Sequence, residues 1–316
     1  MRAGRGTWRA VALVVGASAA VVGAVPPATA TSCRFDDGVV HARVDGGTSL
    51  RMFAWPAGSP DGGRLWWGNQ NDSSQQGFCA RATVRNTDRV VVTGKGRTGR
   101  LDYQLPYRPL GPGRTAEATG TSEIEFVLRG GMTAFWMTGL GGSDDGEAET
   151  VHVGRRGVDV NGDDDVDVRF RSTVTNLSLF LLGGADVADG RGGHGTGAPW
   201  YGGRTLAVTG GDGDDVIHGH PGRDLIHGDP GSDVLYGHGG DDELYDHEDD
   251  HLYGGSGDDV LFSSGGESWL YAGPGDDVLD ADDLYVDVVL DGGPGDDSAW
   301  YDDDDQPVGI EHRLTE

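Results

Sequence analysis

Basic side chains are nearly absent from the last third of the chain. Residues 210–316 hold 31 acidic side chains and only two basic ones, Arg223 and Arg313, whereas the acidic and basic residues of the remainder almost balance. Such a segment repels nucleic acid phosphates and anionic membranes, which argues against both as partners. It attracts multivalent cations, although a disordered acidic tail has the same composition.

Common enzyme signatures are also missing. The chain contains no G-x-S-x-G nucleophile motif, no P-loop, and no G-x-G-x-x-G between a strand and a helix. No amphipathic helix pattern is found, and short alternating or apolar runs separated by glycine and polar clusters predict an all-β protein. A polysaccharide-acting β-helix stays open as an alternative, because it needs only acidic pairs in a groove.

A long apolar run occurs only near the start. Three arginines precede the apolar residues 10–25, and an A-x-A cleavage site follows at 28–30. The apolar core is short and rich in small residues, so we expect a secretory signal peptide over 1–30 and no membrane span after its cleavage. The mature protein is then secreted into the extracellular space.

Cysteine is scarce, with two residues in the whole chain, Cys33 and Cys79. Export to an oxidising compartment predicts a structural disulfide between them. In the chain-entropy model such a bridge stabilises the fold by about 2–4 kcal/mol. We assign residues 31–82 to an N-terminal β cap that holds this disulfide.

Glycine is abundant, with 57 residues, but follows no collagen period. Instead, residues 210–300 fit a nine-residue frame, G-G-x-G-x-D-x-U-x with U apolar, as in GGDGDDVIH (210–218) and GGSGDDVLF (254–262). The glycines suit a tight turn, and the last three residues suit a short strand whose middle residue faces inward. The predicted inner ladder is Ile217, Ile226, Leu235, Leu244, Leu252, Leu261, Leu270 and Leu279.

The aspartates at position six of the frame predict a metal. Two repeats make one coil, so alternate repeats stack at the strand spacing of about 4.7–4.9 Å. The predicted stacks are Asp215 over Asp233 and Asp224 over Asp242, with Asp259 and Asp277 continuing the second. Stacked carboxylates repel by about 1 kcal/mol per pair in water and by more when desolvated. Several Ca²⁺ ions, which accept irregular sets of oxygen ligands, would relieve this repulsion, and binding would then drive folding.

The repeat resembles the RTX (repeats-in-toxin, hemolysin-type) calcium-binding family, and the N-terminal signal makes the chain similar to secreted RTX-repeat proteins of high-GC Gram-positive bacteria. The resemblance implies a right-handed parallel β-roll or β-solenoid, with calcium between consecutive turns. The ligands that it implies are the side chains of Asp215, Asp224, Asp233, Asp242, Asp250, Asp259, Asp277 and Asp297 and the carbonyls of Gly211, Gly213, Gly255 and Gly257.

Some repeats depart from the frame. Ser268 stands at position six, so its site is expected to be lost, and the irregular residues 281–291 place Val288 at that position. Upstream, eroded turn-then-strand units predict a degenerate, metal-poor solenoid over 83–209. Downstream, residues 301–316 are expected to form an acidic C-terminal cap or tail.

Residues 247–254 read HEDDHLYG, which matches the H-E-x-x-H of zinc proteases. Such a motif needs a helix to bring both histidines to one metal, and its glycine- and aspartate-rich flanks disfavour a helix. We interpret it as a degenerate repeat with His247 and His251 facing outward. A zinc protease that uses Glu248 within 247–251 is retained as the alternative function.

Rings recur at position nine of the repeats. His218, Tyr236, Tyr253 and Tyr271 fall on one side of the coil, and His227, Tyr245 and Phe262 on the other. Stacked packing is favoured over a ligand platform, which leaves a cell-surface glycan or protein as a candidate partner. The function expected is that of a secreted calcium-binding protein with a structural, surface or adhesive role and without catalysis.

Overall fold

A computed structural model describes residues 32–45, 49–54, 64–69, 72–83, 87–104, 124–138, 148, 150–160, 166–172, 174–200, 205–282, 285, 287 and 289–315. The segment predicted as a signal peptide lies outside these residues and stays a prediction. Within the described part every regular element is a strand. The described residues therefore include no helix long and apolar enough to cross a membrane.

Twelve strands of the described residues precede the regular repeats. They are β1 (Ser32–Asp36), β2 (Val39–Asp45), β3 (Ser49–Ala54), β4 (Arg64–Asn69), β5 (Asp72–Thr83), β6 (Arg89–Gln104), β7 (Glu125–Thr138), β8 (Thr150–Gly154), β9 (Gly157–Asp159), β10 (Val168–Ser172), β11 (Asn176–Gly183) and β12 (Val187–Asp189).

Thirteen described strands, most of them short, follow. They are β13 (Thr205–Asp212), β14 (Val216–His218), β15 (Asp224–His227), β16 (Val234–Gly239), β17 (Glu243–Asp246), β18 (His251–Ser256), β19 (Val260–Ser263), β20 (Trp269–Tyr271), β21 (Val278–Ala281), β22 (Val289–Asp291), β23 (Ser298–Tyr301), β24 (Pro307–Val308) and β25 (His312–Arg313).

The parallel stack begins inside the segment predicted as a cap. β2 and β3 both pair in parallel with β6, and β6 pairs in parallel with β7. β1, β4 and β5 form antiparallel pairs beside this stack. Cys33 in β1 and Cys79 in β5 form a disulfide with their Cα atoms 5.2 Å apart, which ties two of the antiparallel strands together.

From β13 onward the chain winds as a parallel roll. One row of paired strands runs β11, β13, β15, β17, β19, β21, β23, β25. The other runs β8, β12, β14, β16, β18, β20, β22, β24. Alternate repeats therefore stack, which confirms the expected all-β parallel roll, while its right-handed sense stays a prediction. We call residues 205–315 the roll.

The core of the roll is a single apolar ladder. All eight residues predicted for it are 0 % exposed, which confirms the inward position of residue eight in each repeat. Leu290 and Ala299 continue the ladder downstream, and Ala188 continues it upstream. Because each coil buries so few apolar groups, its stability depends on its neighbours.

The position-nine rings stack on one another as predicted. Ring centroids are 4.5 Å apart for His218 and Tyr236, 4.8 Å for Tyr236 and Tyr253, and 5.1 Å for Tyr253 and Tyr271, with interplanar angles of 15°, 10° and 3°. The ring faces are thus covered by neighbouring rings, and edges are left for solvent. Covered ring faces favour packing within the roll over a ligand platform, which stays a prediction.

Candidate metal centre

The position-six aspartates are buried at the junction of turn and strand. Each of the eight predicted side-chain ligands is at most 1 % exposed: Asp215, Asp224, Asp233, Asp242, Asp250, Asp259, Asp277 and Asp297. The sequence brings them there because position six precedes the inward residue by two and so shares its face. Buried carboxylates are stable only when they are hydrogen-bonded, protonated or bound to a cation.

Backbone hydrogen bonds join these side chains into two columns. In the second carboxylate column (Asp224, Asp242, Asp259, Asp277, Asp297), each backbone N–H donates to Oδ1 of the next member at 2.7–2.8 Å. In the first carboxylate column (Asp186, Asp215, Asp233, Asp250), the same bonds measure 2.7–2.8 Å. The stacks predicted from the repeat are therefore present.

The first column is longer than predicted. Asp186 starts it, and Asp287 and Asp305 extend it beyond Ser268. The frame placed Val288 at position six, and this residue lies outside the described residues. Val289 pairs with Trp269, as that frame requires, and the carboxylate that accepts the Ser268 N–H, at 3.2 Å, comes from Asp287. Asp186 could have been found from the sequence, because it stands two residues before the inward apolar residue Ala188, as the position-six Asp does in a regular repeat.

Each position-one glycine leaves room for a carboxylate oxygen. A Cβ at Gly254 would lie 2.6 Å from Asp259 Oδ2, and one at Gly237 would collide with Asp242 Oδ2. These Oδ2 atoms are buried and accept no hydrogen bond, as are those of Asp215, Asp233, Asp277 and Asp297. Oxygens held this way suit a cation, because the backbone already uses the other oxygen of each carboxylate.

The glycine turns aim carbonyl oxygens at the next coil. Gly255 and Gly257 adopt φ values of +113° and +131°, and a Cβ at either would collide with a carbonyl oxygen of the preceding coil. Gly211 and Gly213, with φ of +114° and +129°, lie against the preceding coil in the same way. Carbonyl and carboxylate oxygens therefore line the same side of each coil, which is the mixed oxygen set that Ca²⁺ accepts.

Burial makes the charged columns unfavourable without a cation. It raises the pKa of Asp215 and Asp242 to about 8 and that of Asp233 and Asp259 to about 7. Neighbouring carboxylates add to this rise, and the N–H donor of the preceding coil opposes it. The metal-free columns would hold protons near neutral pH, whereas a divalent cation would displace them.

Comparison with known families agrees with this geometry. The RTX calcium-binding nonapeptide repeat, in four copies, matches residues 209–244, 248–270 and 253–283. The matched part of the roll is an RTX calcium-binding repeat array. No curated protein and no solved structure matches the chain.

The carboxylate columns of the RTX array continue past the matched residues. Asp297 belongs to the second column and Asp305 to the first, and both lie downstream of residue 283. The fold thus continues the arrangement beyond the repeats that the family model matches.

One RTX repeat carries its own partner for the carboxylate. His220 occupies position two, where regular repeats have glycine, and its side chain is 1 % exposed. Its backbone N–H donates to Asp224 Oδ2 at 2.6 Å, and its Nδ1 contacts Asp224 Oδ1. Both carboxylate oxygens of Asp224 thus contact His220 of the same repeat, whereas Oδ2 of each other member of the second column has no hydrogen-bond partner.

The HEDDH segment lies in a turn and the start of β18 rather than on a helix. His247 Nδ1 lies 2.7 Å from Ser264 Oγ, and the His251 ring stacks on Trp269 at 4.2 Å. The two histidines therefore have different neighbours on the surface of the RTX roll. Asp250 and Leu252 of the same segment face inward, as the repeat frame predicted.

Proposed function

We propose that this protein is a secreted scaffold whose roll folds on binding several extracellular Ca²⁺ ions and that it acts structurally, at a surface or in adhesion, without catalysis. The main support is a set of six buried Oδ2 atoms that accept no hydrogen bond, those of Asp215, Asp233, Asp242, Asp259, Asp277 and Asp297. These carboxylates and the turn carbonyls would hold the ions, and the charge of each ion would offset the repulsion along a column.

Secretion is supported by the disulfide and by the predicted signal peptide. The Cys33–Cys79 bridge suits an oxidising compartment. Calcium is scarce in the cytosol and plentiful outside, so the chain would stay loosely folded until export. The roll would then gain its stability where the scaffold acts.

Absence of catalysis is supported by the site itself. The zinc protease alternative requires His247 and His251 on one metal, whereas each has a different neighbour. The polysaccharide-acting alternative requires a pair of accessible carboxylates, which the buried aspartates of the columns do not provide.

Equilibrium dialysis of residues 31–316 tests the proposal. We expect several Ca²⁺ ions per chain at millimolar calcium and little Mg²⁺, because Mg²⁺ demands a tight octahedron that irregular backbone carbonyls rarely supply. Binding of less than about one Ca²⁺ per chain would contradict the proposal. Equal binding of both metals would point to a diffuse acidic surface instead.

A patch of arginines favours a more specific surface role. Arg129 and Arg171 are paired on the neighbouring strands β7 and β10, and Arg155 and Arg156 form the turn after β8. Three of them line, with Arg169, a cavity of about 500 Å³. Among the described residues, no acidic side chain forms a salt bridge with Arg129, Arg155, Arg156 or Arg171. We propose that this arginine patch binds an anionic surface polysaccharide.

The arginine patch predicts salt-sensitive retention on a sulfated polysaccharide and none on a neutral one. The Arg155→Gln/Arg171→Gln variant is expected to elute at clearly lower salt. Arg34→Gln/Arg43→Gln, which removes two exposed arginines outside the patch, is the matched control. Equal elution of both variants and the wild type would reject the patch as the binding surface.

A further inference from the structure

The degenerate repeat 246–253 differs from the regular repeats at position one. Regular repeats have glycine there, as at Gly228 and Gly254, whereas this repeat has Asp246. Asp246 ends β17, pairs with Ser263 of β19 and is 0 % exposed. Asp246 thus points an additional carboxylate into the roll, at a position where regular repeats have glycine and no side chain.

Asp246 meets two members of the first carboxylate column. One oxygen from each of Asp233, Asp246 and Asp250 lies within 4.8 Å of the others, and all three residues are 0 % exposed. Asp246 Oδ2 and Asp233 Oδ2 are buried without a hydrogen-bond partner. Both lie over Gly228, where an added Cβ would be 2.9 Å from Asp246 Oδ2 and would collide with Asp233 Oδ2.

Backbone donors orient the three carboxylates. The His247 N–H donates to Asp246 Oδ1 at 2.7 Å, and the Asp233 N–H donates to Asp250 Oδ1 at 2.8 Å. The Glu248 N–H donates to Asp250 Oδ2 at 2.9 Å. Among the described residues, no lysine or arginine forms a salt bridge with any of the three. Three carboxylates held together in the interior without a cationic partner require a bound cation or protons.

We propose that Asp233, Asp246 and Asp250 form an additional calcium site, supplied by side chains of two coils and centred on the degenerate repeat. Two oxygens bound to one Ca²⁺ at about 2.3–2.6 Å can be up to about 5 Å apart, so the spacing of the three carboxylates is that of ligands to one shared ion. The site rests on the proposed calcium binding, because it shares Asp233 and Asp250 with the first column.

The next coil of the stack explains why an additional carboxylate is placed there. Its positions one and six are Ser263 and Ser268, and the Ser263 hydroxyl donates to Ser268 Oγ at 3.0 Å. Ser268 removes a carboxylate from the first column. Asp246 adds one in the preceding coil, so the proposed site offsets the carboxylate that is missing at Ser268.

The full chain with Asp246→Asn tests the site. Asn keeps the size of Asp and an acceptor for the His247 N–H, but it removes the charge. Equilibrium dialysis is expected to show about one Ca²⁺ fewer per chain. The Tm is expected to fall by about 5 °C in calcium and to rise in chelator, because Asn removes the cost of burying an ionisable carboxyl group. A merely structural role for Asp246 would move the Tm in the same direction under both conditions.

Two further variants keep the test decisive. Asp249→Asn removes an exposed carboxylate from the same turn and is expected to leave the calcium count unchanged. Asp246→Gly restores the regular repeat and should lose the ion even if the Asn variant folds poorly. Equal counts in the wild type and both Asp246 variants would overturn this site and leave the proposed function standing. A wild type that binds no calcium would overturn both.

Discussion

In calcium, the Asp242→Asn/Asp259→Asn variant is expected to lose a large part of the stability that the ion confers on the roll. Both side chains are 1 % exposed, and Oδ2 of each has no hydrogen-bond partner. Asn keeps an acceptor for the N–H of the preceding coil, so the change removes charge without opening a cavity. One ion at about 100 times its Kd stabilises the folded state by about 2.7 kcal/mol, so losing two removes about 5 kcal/mol.

Far-UV circular dichroism during thermal unfolding, in calcium and in chelator, measures this loss. The matched control is Asp241→Asn/Asp258→Asn, which changes the exposed neighbour of each buried aspartate and removes the same charge. We expect this control to keep most of the calcium-dependent gain in Tm. If both variants lost the gain equally, net charge rather than the columns would explain the effect of calcium.

The pH dependence of stability is expected to reverse sign when calcium is added. Burial raises the pKa of Asp215 and Asp242 to about 8 in the folded, metal-free chain, whereas an unfolded Asp titrates near about 3.9. Between these values the folded state holds more protons. The stability that these two carboxyl groups contribute to the folded state is therefore fully present below about pH 4 and is lost as the pH rises through about 8. In chelator, the roll should be less stable at pH 8 than at pH 5.

Calcium reverses the sign of this pH dependence because it binds the deprotonated carboxylates. In its presence, stability should rise over the same pH range, since protons no longer compete for the ligands. Thermal unfolding at about pH 5 and about pH 8 should show opposite Tm changes, each of about 10 °C. Parallel pH profiles with and without calcium would contradict a role of the column carboxylates in binding.

The regular part of the roll could be predicted from sequence because the nine-residue period determines which side chains face inward. An apolar residue two positions after an Asp places Leu261 in the core and Asp259 in a column. The same rule held for Asp250 and Leu252 within the HEDDH segment, despite its missing residue. Period and alternation together therefore defined the ladder and both stacks.

Positions without the repeat signal could not be predicted. The run of four aspartates at 302–305 does not indicate that Asp305 is the one that turns inward, and Asp287 reaches its column from outside the frame. His220 and Asp246 replace glycines, and sequence alone does not tell whether such a side chain points into the coil or away from it. The parallel pairing of β2 and β3 depends on distant partners in β6, which local pattern does not reveal.

The N–H···Oδ1 ladder of the two columns links each coil only to the next. The stability of such a molecule is approximately the sum of the stabilities of its coils and of the interfaces between neighbouring coils. The strength of these interfaces determines how many coils fold and unfold together. The weakest coupling in the first column lies at Ser268, where the two successive bonds measure 3.4 and 3.2 Å rather than 2.7–2.8 Å. We therefore expect the coupling between coils in the first column to be weakest at this coil, whereas the second column runs past it with bonds of 2.7–2.8 Å.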